Sequence, residues 1–140
     1  MLLVEQWKKE FAELLNLPII TLRNGLISKL EYKNEHDELH RNPEIGYAYI
    51  CYYKNGNICY ESYWVNSKKH KLEGPAYIEY YKNGNVRCEE YWINNKKHRL
   101  EGPARIIYYE NGNILYEEYW VNDKIHRLEG PACISYYEKW

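Results

Sequence analysis

GPAYIEYYKNGNVRCEEYWINNKKHRLE, residues 74–101, is the stretch on which the fold turns. It returns as GPARIIYYENGNILYEEYWVNDKIHRLE at 102–129 and has an earlier copy, GYAYICYYKNGNICYESYWVNSKKHKLE, at 46–73. Gly46, Gly74, Gly102 and Gly130 are spaced 28 residues apart, a partial copy fills 130–140, and a degenerate one covers about 22–45. Self-similarity at such a period predicts a fold of stacked supersecondary units. A residue that recurs in every unit then serves architecture before chemistry.

Within residues 74–101, Pro75–Lys82 is rich in Tyr and Ile and reads as a strand. Asn83-Gly84 follows, a strong two-residue hairpin signal, because a type I′ turn needs positive φ at both central residues. Asn85–Asn94 reads as the return strand, and the segment from Asn95 to Gly102 as a polar connection ending in a Gly-Pro turn. Asn24-Gly25, Asn55-Gly56 and Asn111-Gly112 mark the same turn elsewhere. The expected fold is mainly β, an antiparallel sheet of about four β-hairpins. Residues 2–15, LLVEQWKKEFAELL, place Leu3, Trp7, Phe11, Leu14 and Leu15 on one helical stripe. Residues 1–17 are therefore expected to form a helix that caps the first edge or docks on a partner, and residues 18–140 the β-hairpin domain.

A two-residue turn would set Tyr81 opposite Val86 and Tyr80 opposite Arg87, and alternation then sorts the side chains. One face carries Ala76, Ile78, Tyr80, Glu89, Tyr91 and Ile93, whose types barely change in the next copy. The other carries Tyr77, Glu79, Cys88 and Glu90, framed by Tyr81 and Trp92; in the next copy these four become Arg105, Ile107, Tyr116 and Glu118, and in the earlier one Tyr49, Cys51, Tyr60 and Ser62. Variation thus falls on one face, with Arg87, Cys59 and Leu115 as exceptions. The expected partner-binding set is Tyr49, Tyr60, Trp64, Tyr77, Glu79, Trp92, Arg105, Ile107, Tyr116 and Trp120.

Composition narrows the function. The 140 residues hold 19 Lys+Arg and 20 Asp+Glu, without the basic excess of a nucleic-acid binder. No apolar run approaches the roughly 20 residues of a membrane span, and the start does not read as a signal peptide. Cys51, Cys59, Cys88 and Cys133 form no CxxC pair and occupy different places in their units, which reads as free thiols in a reducing, cytoplasmic setting. Seventeen Tyr against one Phe suits a thin sheet, where a ring covers the surface and its hydroxyl stays wet.

The YYKNGN turns, the aromatic return strand and the recurring HRLEGPA connection resemble the MORN-repeat variant family over residues 22–140. The resemblance implies an elongated, twisted antiparallel sheet and interaction roles, including scaffolds and antitoxin-like proteins. Here His-Arg-Leu-Glu-Gly-Pro-Ala replaces a more Gly-rich connection, a form associated with low-GC bacteria, phages and giant viruses.

Chemistry finds few candidates. His70, His98 and His126 recur with Glu73, Glu101 and Glu129 three residues on. Two strands per unit would space the histidines about 9–10 Å apart, too far to share a metal at bond lengths near 2 Å. They are expected instead to cap the Gly-Pro corner, and Glu101 is expected to pair with Arg127 or Lys71. Trp64, Trp92 and Trp120 form a second row, for packing or for a partner. His36, Asp37 and His40 are the one non-repeated polar cluster, expected to be an irregular connection. There is no nucleophile elbow, phosphate loop or unique Cys-His-Asp set. The expected function is a non-enzymatic module that binds a protein and uses no cofactor, metal, nucleic acid or membrane, with a homodimer through the C-terminal edge strand open to it. A nucleotide or sugar binder on an aromatic groove and a self-assembling structural protein are the alternatives.

Overall fold

The computed structural model describes residues 17–138. Its strands are β1 (Ile19–Arg23), β2 (Leu26–Glu31), β3 (Tyr49–Tyr52), β4 (Ile58–Ser62), β5 (Trp64–Val65), β6 (Lys68–Lys69), β7 (Tyr77–Tyr80), β8 (Val86–Glu90), β9 (Trp92–Ile93), β10 (Lys96–Lys97), β11 (Arg105–Tyr108), β12 (Ile114–Glu118), β13 (Trp120–Val121), β14 (Lys124–Ile125) and β15 (Cys133–Ser135). Nine of them form one sheet in the order β1-β2-β3-β4-β7-β8-β11-β12-β15, antiparallel throughout. The chain is mainly β, as its alternation and turn residues predict. The helix expected over residues 1–17 lies, but for Leu17, outside the described residues.

The Asn-Gly turns differ from the expectation in an instructive way. Asn24 and Gly25 both have positive φ, as a type I′ turn demands, but Asn55, Asn83 and Asn111 do not. In the third hairpin the Gly84 N–H donates to Tyr81 O (2.9 Å) and the Tyr81 N–H to Asn85 O (2.8 Å). This is a three-residue loop, a type I turn closed by a left-handed glycine. The loop is one residue longer than expected, so Tyr80 faces Val86 rather than Arg87. A β-bulge then absorbs the extra residue, and Glu79 faces Cys88, the register the shorter turn would have produced. The two departures cancel. Beyond the bulge each side chain lies on its expected face; at the bulge it does not.

The return strand also ends sooner than expected. β8 stops at Glu90, and Trp92 starts a second, small hairpin with β10, in which Ile93 faces Lys96 and Trp92 faces Lys97. Its turn, Asn94-Asn95, has φ of 47° and 64°, and Asn66-Ser67 and Asn122-Asp123 repeat the pattern. The type I′ turns thus sit where a polar connection was expected. Asn, Asp and Ser accept the left-handed region there, and short polar side chains tolerate it best.

These small hairpins hold one unit to the next. The Asn95 N–H donates to Lys69 O (2.9 Å) and the Lys71 N–H to Trp92 O (3.1 Å). The amide of Asn94 donates to His70 Nδ1, that of Asn122 to His98 Nδ1 and that of Asn66 to His40 Nδ1, each at 3.1 Å. The histidines therefore clasp the following turn instead of capping the Gly-Pro corner. His40 is the first of the row, so the cluster His36–His40 is a degenerate unit rather than a unique one. Asn34 orders it, its Oδ1 accepting from the amides of His36 and Glu38.

The opposite ends of the hairpins carry a second set of links. The hydroxyls of Tyr53, Tyr81 and Tyr109 donate to the carbonyls of Tyr80, Tyr108 and Tyr136, at 2.7, 2.7 and 2.9 Å. Asn57 and Asn85 side chains donate to Lys82 O and Glu110 O. The second Tyr and the last Asn of the YYKNGN motif are thereby accounted for. On the constant face Tyr80 donates to Glu61 Oε1 (2.6 Å), Tyr108 to Glu89 Oε2 and Tyr136 to Glu117 Oε2 (both 2.9 Å). Ala48, Ala76 and Ala104 are fully buried there. The connections carry cation–ring stacks: Lys71 on Tyr63, Arg99 on Tyr91 and Arg127 on Tyr119, each 4.0 Å from the ring centre. Glu101 pairs with neither Arg127 nor Lys71, against the expectation, and Glu73, Glu101 and Glu129 are exposed.

Candidate partner-binding face

The sheet brings the variable side chains into one surface. Tyr49 and Tyr60, diagonal neighbours on β3 and β4, stack with centres 5.4 Å apart and planes 6° from parallel. Tyr77 continues the row, 5.7 Å from Tyr60. All three are half-buried. Burial is the first cause that raises the hydroxyl pKa of Tyr60 and of Tyr77 well above the ordinary 10.0; hydrogen bonding to Tyr49 adds to it for Tyr60, and the charge of Glu79 for Tyr77. These hydroxyls stay neutral, and the row is an apolar strip with polar tips.

A charged cluster follows. Arg105 lies between Glu90 and Glu118, with Nε 3.3 Å from one carboxylate and Nη1 3.6 Å from the other. Lys97 Nζ is 3.7 Å from Glu90. Arg87 donates to Glu79 Oε1 at 2.7 Å. Ile107 and Tyr116 stand beyond, as register partners. Each carboxylate thus has its cation, and the cluster offers polarity without net charge.

Trp64, Trp92 and Trp120 border this surface from the small hairpins. Their indole N–H groups donate to Ser62 Oγ (2.7 Å), Glu90 Oε2 (3.0 Å) and Glu118 Oε2 (3.1 Å). Lys69 Nζ sits 5.6 Å from the Trp64 ring, 4.8 Å from Trp92 and 5.1 Å from Tyr77. Lys97 Nζ lies 5.3 Å from Trp92 and 4.9 Å from Trp120. Tryptophan and lysine therefore alternate along the border, a cation between each pair of rings. The rings pack and remain half-exposed.

The bulge corrects the expected exceptions. Arg87, Cys59 and Leu115 are the extra residues at three of the four bulges, and Ser28 is that of the β1–β2 hairpin. Arg87 reaches Glu79 on the variable face, and Cys59 stands near Cys51, where its charge adds to burial in raising the Cys51 thiol pKa. Variation at this position thus joins the variable face. Glu79 and Arg87 pair there, and the corresponding places hold Cys51 and Cys59 in one hairpin and Ile107 and Leu115 in another. Alternation alone could not find this, since a bulge leaves no mark in the hydropathy pattern.

Of the four thiols, all free, Cys88 is buried and Cys133 exposed. Burial, then the charge of Glu90, pushes the Cys88 thiol up to about 11. Among the described residues no three His, Cys, Asp or Glu side chains converge as metal ligands, and no helix is long and apolar enough to cross a membrane. No family model, no curated protein and no solved structure matches this chain.

Proposed function

We propose that this chain is a non-enzymatic binding module that acts in the cytoplasm and holds one protein partner on the face built by Tyr49, Tyr60, Tyr77, Glu79, Arg105, Ile107 and Tyr116, with the tryptophans as its border. Its fold is read as an elongated, twisted stack of MORN-like hairpin repeats, closed at its first edge by the N-terminal segment. An antitoxin-like inhibitor of phage or viral type is the concrete form of this role.

The observation that carries the proposal is a division of labour. The recurring His, Tyr, Asn and Gly-Pro positions are spent on bonds between neighbouring units. The positions that differ from unit to unit gather on one half-exposed face, rich in the tyrosine and arginine that anchor protein interfaces. The exposed Leu17, Ile19, Ile20, Leu22, Leu26 and Ile27 of the first hairpin and the segment before it offer apolar surface to the stripe of Leu3, Trp7, Phe11, Leu14 and Leu15.

The test is affinity capture from low-GC bacterial and amoebal lysates, comparing the natural chain with a Tyr77→Ala, Arg105→Ala, Tyr116→Ala variant. A stoichiometric protein lost in the variant, with the β-type circular dichroism retained, is the expected result. Undiminished capture by the folded variant would overturn the assignment of this face.

A further inference from the structure

We propose that Cys51 and Cys59 are a disulfide-forming site, closing a covalent bond across the β3–β4 hairpin when the thiol–disulfide poise becomes oxidising. Cys51 is the register partner of Tyr60, and the bulge next to it leaves Cys59 as the extra residue of β4. A bulge bends its strand so that the extra side chain shares the face of its neighbour. The two thiols are near enough to interact: after burial, the charge of Cys59 is the next cause that raises the Cys51 thiol pKa. Cys59 adjoins Tyr60, the residue that Cys51 faces, and a disulfide spans Cα atoms roughly 4.4–6.8 Å apart.

The corresponding positions of the other hairpins supply an independent argument. In the β7–β8 hairpin the same two places hold Glu79 and Arg87, which bond at 2.7 Å. In the β11–β12 hairpin they hold Ile107 and Leu115, two aliphatic side chains. One pair is ionic, one apolar, and the third consists of two sulfurs. Where the places hold Glu and Arg the two side chains bond directly, and for two thiols the corresponding bond is covalent. Cys88 and Cys133 lack such a counterpart: Cys88 faces Glu79 and Ile107, and Cys133 faces Glu118.

The oxidant is a low-molecular-weight disulfide such as oxidised glutathione. One protein thiolate attacks it, forming a mixed disulfide and expelling one glutathione thiolate. The second protein thiolate displaces the other. Two protons pass from the cysteines to the two released glutathiones, so two thiols and one disulfide become one disulfide and two thiols. Because both cysteines stand among Tyr49, Tyr60 and Tyr53, the bond would fix the first part of the tyrosine row. This chemistry does not depend on the binding role proposed for that face.

The experiment equilibrates the full chain in glutathione buffers of graded poise, alkylates the remaining thiols and maps the peptides by mass spectrometry. Lys54 lies between the two cysteines, so trypsin separates the strands and a bridge shows as a linked peptide pair. The expected result is a Cys51–Cys59 linked pair, a loss of two alkylated thiols, a higher melting temperature, and Cys88 and Cys133 still alkylated. Cys51→Ser abolishes the link. A Glu79→Cys, Arg87→Cys variant forms a second link at the equivalent place. Separate glutathione adducts on Cys51 and Cys59, dimers through Cys133 alone, or four alkylated thiols in the most oxidising buffer would each overturn the proposal.

Discussion

Gly102 shows how much a single position carries. Its φ is +118°, and a Cβ there would stand 3.2 Å from Arg99 Cζ. That guanidinium is already held, stacked on Tyr91 and donating to Pro103 O at 3.0 Å. A side chain at residue 102 therefore strains the backbone and displaces the stack together. Gly102→Ala is expected to cost about 1–2 kcal/mol from the left-handed backbone alone. Urea denaturation measures it, and an unchanged midpoint would show that the connection re-forms without the stack.

The hairpins show where sequence reasoning reaches and where it stops. That each Asn-Gly marks a hairpin was legible, because the pair is rare outside turns. The turn type was not, since Asn83 serves equally in a type I turn and only Gly84 needs positive φ. The small hairpins were hidden because two-residue strands such as Trp92–Ile93 are too short to show alternation. Register places Tyr77, Glu79, Arg105, Ile107 and Tyr116 where alternation predicts, whereas Arg87, at the bulge, reaches Glu79 against the alternation. The turn assignments can be tested by opposite signs. Asn95→Gly relieves a left-handed asparagine and is expected to stabilise by a few tenths of a kcal/mol. Asn83→Gly puts glycine where φ is ordinary and removes the bond from Asn85 N–H to Asn83 Oδ1 (2.9 Å), and is expected to destabilise by about 1 kcal/mol. Thermal melts of the two variants decide; like signs would refute the assignment.

At the scale of the whole molecule, the tyrosine hydroxyls couple stability to alkaline pH. Burial, then the hydrogen bond to Glu61, raises the Tyr80 pKa above the ordinary 10.0; burial, then Glu89, does so for Tyr108. For Tyr136 the bond to Glu117 is the larger cause. A group whose folded pKa is raised contributes stability that is present below its unfolded value and lost as pH rises toward the folded one. The denaturant midpoint is therefore expected to hold steady up to about pH 10 and to fall above it, with phenolate absorbance appearing together with unfolding. Phenolate that appears near pH 10 in the fully folded chain would contradict the coupling.

Among the described residues, the clasps from His40 to Asn66, His70 to Asn94 and His98 to Asn122 each join residues 24 or 26 apart along the chain. A molecule bonded in this way answers to force as a series of equal springs. Stretched between its ends, it should yield in steps, and each 28-residue segment should release a contour length of roughly 90–100 Å. An optical trap would then count the units one rupture at a time.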